Sequence, residues 1–290
     1  MKLSTEIRSL SRLVGEEDAI RLLAASGFEA WDFSMFDMAT YNYSEGRISD
    51  GDHPLHGGNY RAFAKRLAKV GQECGIVCNQ SHAPFPTYCP EMIDYLLRAI
   101  ECTAIAGGEI CVIHPDNLRG AEENVVLYEK LLPFAKECGV KIATENTFKV
   151  DCQSKKILPC CTSDHAGIIE LLDLIDDPFF VACLDIGHAE LCGLSTSACD
   201  MIRALGPDRL AALHIHDNDK IRDSHLLPFT EKIEWEPIAK ALTEIGYRGD
   251  LTLECGNYAK KFTADTSREC ARSMAAAVER LRELVLAEKS

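Results

Sequence analysis

The stretch LLPFAKECGVKIATE (residues 131–145) contains the repeating unit from which this fold is built. Its first part is typical of a helix, Gly139 follows that helix, and the short apolar run after the glycine ends in Glu145. Glycine is the expected residue just past a helix, because it enters the left-handed conformation without a Cβ clash. A helix, a glycine and a short apolar strand together predict part of a βαβ unit in a parallel sheet.

The same unit recurs along the chain. Helical stretches that end at Gly27, Gly75, Gly107 and Gly246 are each followed by a short apolar run that ends in a polar residue. With three further runs, the predicted strands are eight, at about residues 3–7, 29–34, 76–82, 109–114, 140–145, 179–185, 210–216 and 250–254. Eight strand–helix units in this length favour a closed α/β structure, a (β/α)8 TIM barrel, formed by residues 1–290 as a single domain. No glycine-rich phosphate loop follows any of these strands, which argues against an open dinucleotide-binding sheet.

Composition and charge narrow the class of protein. Hydrophobic residues make up 47% and charged residues 26% of the chain, which is ordinary for a globular protein. The net charge of −14 repels nucleic acid and anionic membranes on average. We find no secretory leader and no run of ~18 apolar residues. The 14 cysteines contain no CxxC pair, and several lie in apolar runs. We therefore expect a cytoplasmic protein with reduced cysteines.

Six predicted strands end in or next to a side chain that can bind a metal ion or a proton: His82, His114, Glu145, Asp185, His214 and Glu254. The carboxyl ends of the strands of a TIM barrel meet at one mouth, where the longer connections at about 35–56, 146–162 and 217–233 would also lie. Clustered carboxylates repel each other unless a cation neutralises them. A divalent metal ion held by oxygen and imidazole ligands is therefore the economical interpretation, with isolated polar core residues as the alternative.

Several short motifs, in chain order, resemble those of the xylose isomerase-like TIM-barrel superfamily. They are LLAASGFEAWDFS, SHAPFP, VIHP, ATEN, LDIGH, LHIHDND, DSHLLP and GDLTLE. The resemblance extends from about residue 15 to residue 256. This superfamily contains sugar and sugar-phosphate isomerases and epimerases, and also the endonuclease IV-type enzymes.

The resemblance to the ketose 3-epimerase-like members implies a site. It implies one divalent ion (Mn²⁺, Mg²⁺, Co²⁺ or Zn²⁺) with the ligands Glu145, Asp185, His214 and Glu254. The two glutamates would also move the proton on opposite faces of an enediolate. The substrate contacts that it implies are His82, His114, His188 and His225. The chain departs from these epimerases shortly after His214, where they have an arginine and the nearby cation here is Lys220 or Arg222; we expect Lys220 to contact the substrate. His216 shares a strand face with His214, so a role beside the site and a structural role both stay open.

The partner that this resemblance implies is a small-molecule carbohydrate, with no nucleic acid or membrane partner. Whether the chain forms a homo-oligomer is left open. A dehydratase or lyase would share the first proton abstraction, so only the products would separate it from an isomerase. A barrel that only binds its ligand is the third alternative, and it would leave Glu145 and Glu254 without a function.

An endonuclease IV-type phosphodiesterase is the strongest rival function. Those enzymes hold three zinc ions through nine ligands, which can be matched here to His82, His114, Glu145, Asp185, His188, His214, Asp223, His225 and Glu254. The net charge of −14 and the lack of basic loops argue against a nuclease, because duplex binding depends on phosphate contacts from lysine and arginine.

Overall fold

A computed structural model describes residues 1–151 and 153–288. Eight strands form the barrel: β1 (Leu3–Thr5), β2 (Ala30–Ser34), β3 (Val77–His82), β4 (Ile110–Ile113), β5 (Lys141–Glu145), β6 (Phe180–Asp185), β7 (Leu210–His214) and β8 (Leu251–Leu253). Strands β2 to β7 pair in parallel in the order of the chain, and β1 pairs with β8. The Ile7 amide donates to the Asp32 carbonyl (3.1 Å) and the Glu254 amide to the Ile215 carbonyl (3.0 Å), which joins the two groups of strands into a closed barrel. The predicted (β/α)8 fold is confirmed.

The helices lie outside the strands and on the connections at the mouth. They are α1 (Arg8–Val14), α2 (Glu16–Ala25), α3 (Tyr60–Cys74), α4 (Met92–Ala106), α5 (Ala121–Cys138), α6 (His165–Ile175), α7 (Ile186–Ala189), α8 (Ala198–Arg209), α9 (Trp235–Glu244), α10 (Gly256–Ala259) and α11 (Ser267–Ala287). Helix α5 ends at Gly139, whose φ of 69° is in the left-handed region, as the sequence predicted. None of the helices in the described ranges is long and apolar enough to cross a membrane.

Two layers of apolar side chains hold the barrel together. A small cluster from four neighbouring strands fills the interior: Val112, Ala143, Val181, Cys183 and Ala212. A much larger cluster lies between the strands and the surrounding helices and includes Trp31, Tyr128 and Met274. Because successive residues of a strand face opposite sides, each strand contributes to both layers.

The long connections predicted at the mouth contain structure of their own. A hairpin pairs Tyr41–Asn42 with Arg47–Ile48 after β2, and a second pairs Lys149–Val150 with Ile157–Leu158 after β5. The connection after β7 is held by the fully buried carboxylate of Asp217. That carboxylate accepts hydrogen bonds from the amides of four residues of the connection and from the Trp235 indole. Each of these connections therefore has a defined path beside the mouth.

Candidate metal centre and active site

Strand alternation explains why polar side chains converge above the barrel core. Ala143 in β5 and Cys183 in β6 belong to the interior cluster. Glu145 and Asp185 follow two residues later in the same strands, so they also point inward. His214 likewise follows the interior residue Ala212 by two positions in β7, so its side chain also points inward. The inward face of the barrel is thus apolar below and carries ionisable groups at the carboxyl ends of the strands.

The four residues predicted as ligands of one ion lie together. One ligand atom from each of Glu145, Asp185, His214 and Glu254 lies within 4.8 Å of the others. His214 Nδ1 is 2.9 Å from Glu145 Oε1 and 3.7 Å from Glu254 Oε2. Three of the four side chains are buried and Glu254 is partly exposed to the cavity. This arrangement of three carboxylates and one imidazole has the donor chemistry of a divalent metal site.

Two further histidines contact the second oxygen of Glu145. His82 Nε2 and His114 Nε2 lie 3.2 and 2.9 Å from Glu145 Oε2. The carboxylate of Glu145 therefore faces three imidazoles, counting His214. Burial raises the pKa of Glu145, but His214 and His114 lower it by more, so the pKa lies well below its usual range. Glu145 is therefore an anion, with His82 and His114 beside one carboxylate oxygen and His214 beside the other.

A third group of possible metal ligands lies beside the group formed by Glu145, Asp185, His214 and Glu254. His188, His216, Asp223 and His225 each place a ligand atom within 4.8 Å of the others. Asp223 Oδ2 is 3.1 Å from His225 Nε2 and 3.5 Å from His188 Nε2. The rings of His216 and His225 stack with their centroids 3.9 Å apart. His216 Nε2 is also 3.0 Å from Asp185 Oδ1, so this group adjoins the first.

Buried polar atoms without hydrogen-bond partners indicate that these groups suit a cation. Among the described residues, Asp185 Oδ2 and His216 Nδ1 have no such partner, and His216 Nε2 lies near Asp185 Oδ1 (3.0 Å) and Asp223 Oδ1 (3.5 Å) without hydrogen-bond geometry. Buried polar groups are normally satisfied, and leaving them unsatisfied costs about 1–3 kcal/mol each. A divalent ion among these carboxylates and imidazoles would satisfy them, so the residues present fit a metal centre.

Most of these ionisable groups line a cavity of about 820 Å³, whereas Asp185, His214 and His216 are not part of its lining. Aromatic side chains line it beside the histidines: Phe85 stacks on His114 at 5.0 Å between centroids, and Phe148 meets His188 edge-on at 5.1 Å. A concave site of this size, with an apolar wall and a few convergent polar groups, is typical of small-molecule binding.

Comparisons with known proteins agree with this architecture. The family model described as "Xylose isomerase-like TIM barrel" matches residues 20–284. The chain belongs to the xylose isomerase-like TIM-barrel family. Among curated relatives of this xylose isomerase-like barrel, the uncharacterized protein y4fM of Sinorhizobium fredii is 29% identical over 178 residues, which are 56% of this chain and 52% of that protein. The uncharacterized protein MJ1311 of Methanocaldococcus jannaschii is 25% identical over 79% of this chain and 80% of that protein.

Solved structures show the same fold. A D-tagatose 3-epimerase-like protein superposes on the xylose isomerase-like barrel with a TM-score of 0.73 at 20% identity, covering 100% of both chains. An L-ribulose 3-epimerase superposes with a TM-score of 0.71 at 15% identity, covering 99% of this chain and 95% of the other. The superfamily inferred from the motifs is therefore confirmed.

The xylose isomerase-like barrel brings nearly all the sequence-predicted site residues together. His82, His114, His188 and His225 all line the cavity with Glu145 and Glu254. Lys220 does not line it, and its ammonium lies 3.0 Å from Glu190 Oε2. The expected substrate contact of Lys220 therefore has no support from this geometry, because the connection after β7 directs this side chain to a carboxylate outside the cavity lining.

Glu6 is a site residue that the sequence analysis missed in this xylose isomerase-like barrel. It follows β1, lines the cavity and is 4% exposed. Its carboxylate accepts hydrogen bonds from the Ser9 amide and from Ser34 Oγ (3.1 Å). Burial, and then the charge of Glu254, raises the pKa of Glu6 to about 7. There was little signal for it in the sequence, because β1 is only Leu3–Thr5, two of its three residues are polar, and the predicted strand 3–7 placed Glu6 inside it.

Proposed function

We propose that this chain is a metal-dependent sugar or sugar-phosphate isomerase or epimerase that moves a proton through an enediolate. One observation carries the proposal: three carboxylates and an imidazole converge at a cavity of about 820 Å³, with two of the carboxylates open to it. The likeness in fold to proteins titled as ketose 3-epimerases supports it.

The residues that would hold the ion are Glu145, Asp185, His214 and Glu254. When bound, a divalent ion would stabilise negative charge on the carbonyl and hydroxyl oxygens of the substrate, which makes the neighbouring C–H acidic. Glu254, which faces the cavity, takes the proton from one face of the substrate carbon. Glu145 would return a proton to the opposite face, and it would receive that proton from His114 Nε2, which lies 2.9 Å from Glu145 Oε2.

The cavity residues account for binding and for exclusion of water. His188 lines the cavity and its Nδ1 is 3.0 Å from the Asn146 carbonyl, which leaves Nε2 for Asp223 or a substrate oxygen. Phe36, Phe85 and Phe148 supply apolar surface beside the histidines. Such walls exclude water from a site in which a reactive carbanion-like species forms.

A second candidate is phosphodiester cleavage of the endonuclease IV type. A specific observation favours it: eight of the nine matched residues belong to three adjoining groups of possible ligands, and the ninth, His114, lies 2.9 Å from Glu145 Oε2. The net charge of −14 opposes it. The volume and aromatic lining of the cavity also suit a small ligand better than a duplex.

The deciding experiment combines a metal count with solvent exchange. Metal-loaded wild type should contain one tightly held ion per chain and should introduce deuterium next to the carbonyl of a ketose in D₂O. Glu254→Gln and Glu145→Gln should keep the ion and lose net conversion, because one face of the substrate carbon then lacks its base. Glu170→Gln on the exposed face of α6 makes the same chemical change away from the site and should behave as wild type.

Three results would contradict the proposal. Full conversion by either active-site variant with metal bound would remove that glutamate from the mechanism. A product that has lost water would indicate a dehydratase. Three ions per chain, with cleavage of DNA at an abasic site and no deuterium uptake from any ketose, would establish the second candidate.

A further inference from the structure

The wall of the cavity beside β1 and β8 carries three cations, Arg8, Arg12 and Lys260. In α1, Arg8, Ser9, Arg12 and Leu13 line the cavity, which is one face of that helix. In and after α10, Gly256, Asn257 and Lys260 line it in the same way. Helices α1 and α10 pack against each other, and a Cβ on Gly256 would lie 3.8 Å from Ser9 Oγ. Arg12 and Lys260 therefore stand on adjoining segments of one wall.

Two of these cations, Arg12 and Lys260, form no close ion pair among the described residues, and the charge of Arg12 contributes only at longer range to lowering the pKa of Asp37. Arg8 forms a bidentate pair with Asp37 and stacks over Phe36. In contrast, neither Arg12 nor Lys260 has a carboxylate oxygen within 4.0 Å among the described residues. Lys260 Nζ instead donates to Asn257 Oδ1 (2.7 Å), and Asn257 Nδ2 donates to the Ser224 carbonyl (2.9 Å). The ammonium is thus tied to the connection that carries Asp223 and His225.

Acidic and basic side chains line different parts of this cavity. The carboxylates that line it, Glu6, Glu145, Asp223 and Glu254, lie at the strand ends and in the connection after β7. The free cations lie on α1 and after α10, in a chain whose net charge is −14. A ligand that fits both regions has oxygens for a metal at one end and an anion at the other.

We propose, on the basis of the proposed function, that Arg12 and Lys260 bind the phosphate group of a phosphorylated sugar. A phosphate monoester carries about −1.5 to −2 charges at neutral pH and three acceptor oxygens, which matches two separate cations. A carboxylate would be satisfied by the fork of one arginine. The substrate would then be a sugar phosphate whose carbonyl end faces Glu145 and Glu254.

Matched pairs of sugars test this inference. Calorimetry on the metal-loaded protein compares D-ribulose with D-ribulose 5-phosphate and D-fructose with D-fructose 6-phosphate, and deuterium exchange is measured on the same pairs. We expect the phosphorylated member to bind at least about tenfold more tightly in one pair. Arg12→Gln and Lys260→Gln should each weaken that binding about fivefold and leave the free sugar unaffected, since each removes one partly exposed cation–phosphate contact.

Two controls limit the interpretation. Lys240→Gln changes an exposed lysine of α9 and should have no effect. Lys149→Gln changes a cavity-lining lysine in the hairpin after β5, away from α1 and α10. An effect of Lys149→Gln as large as that of Lys260→Gln would overturn the assignment, because it would indicate a general field and not a phosphate site.

The inference and the proposed function fail in different ways. Turnover of free sugars with no preference for phosphates, or a preference that both variants retain, would overturn the inference and leave the isomerase intact. Phosphate-dependent binding that both variants weaken, with no exchange from any sugar, would support the phosphate site and contradict the isomerase. Tighter binding of sugar acids or of abasic DNA than of either sugar phosphate would overturn the inference.

Discussion

Glu6 shows how one residue can depend on its surroundings for its charge. It is buried beside Ser9 and Ser34, and Glu254 is the negative group that raises its pKa most. Its pKa rises from 4.5 to about 7, so the folded protein holds the Glu6 proton more tightly than the unfolded chain does. The contribution of Glu6 to stability is therefore fully present below about pH 4.5 and is lost as the pH rises through about 7.

Replacing Glu6 with Gln should remove this pH dependence. In metal-free protein, wild type should lose up to about 3 kcal/mol of unfolding free energy relative to Glu6→Gln between pH 4.5 and pH 8. Urea denaturation at both pH values measures the difference. The unfolding free energy of Glu170→Gln, an exposed control, should change with pH by the same amount as that of wild type. Parallel curves for wild type and Glu6→Gln would show that Glu6 is already ionised below pH 5.

At the scale of elements, the short helix α7 connects two groups of site residues. Asp185 caps this helix, because its Oδ1 accepts the His188 amide at 2.7 Å. Asn146 binds the Asp185 backbone on both sides, through its Oδ1 (2.7 Å) and its Nδ2 (2.9 Å). A Cβ on Gly187 would lie 2.0 Å from the ring of His216. Helix α7 therefore needs glycine at position 187, because the imidazole of His216, in the connection after β7, packs directly against it.

Gly187→Ala tests that contact. The added methyl group must displace His216, which lies 3.0 Å from Asp185 Oδ1, so we expect metal affinity to fall about tenfold or more. Overpacking should also lower the unfolding free energy by about 1–3 kcal/mol. Titration with Mn²⁺ and thermal unfolding measure the two effects. Gly58→Ala is the matched control, since a Cβ there meets nothing within 4 Å. Unchanged metal affinity in Gly187→Ala would separate His216 from the metal centre.

At the scale of the whole molecule, the mouth of the barrel brings buried carboxylates together. Folding alone leaves part of their hydrogen-bonding capacity unused. Glu145 and Asp185 are fully buried, and the orphaned oxygen of Asp185 faces no donor among the described residues. An ion that binds only the folded state stabilises it by mass action, by about 2.7 kcal/mol at a hundred times its dissociation constant.

Divalent ions should therefore raise the melting temperature of the chelator-treated protein by several degrees. Differential scanning calorimetry with Mn²⁺, Mg²⁺, Co²⁺ and Zn²⁺ measures the shift, and Asp185→Asn should remove most of it. Asp173→Asn on the exposed side of α6 is the control and should keep the full shift. A shift of equal size in Asp185→Asn and wild type would place the ion elsewhere.

Local patterns were sufficient to predict the barrel. Residues 140–145 were predicted as a strand and form β5 (Lys141–Glu145), while 179–185 form β6 (Phe180–Asp185). Apolar runs after a glycine stop are properties of neighbouring residues, so a linear sequence carries them. The position of Glu145 and Asp185 at the ends of such runs is equally local, which is why their meeting at the mouth followed from the fold alone.

The environment of each side chain was decided by the tertiary structure. That Glu145 contacts His82, His114 and His214 depends on the register of four strands and on closure of the barrel, which no single segment encodes. Lys220 lies in a connection with a left-handed backbone (φ 66°), and its ammonium faces Glu190. The sequence by itself determined the strands and the polar residues at their ends, because those signals repeat over a few residues. Distances, burial and charge between segments arise only when the chain closes, because they depend on atoms far apart in sequence.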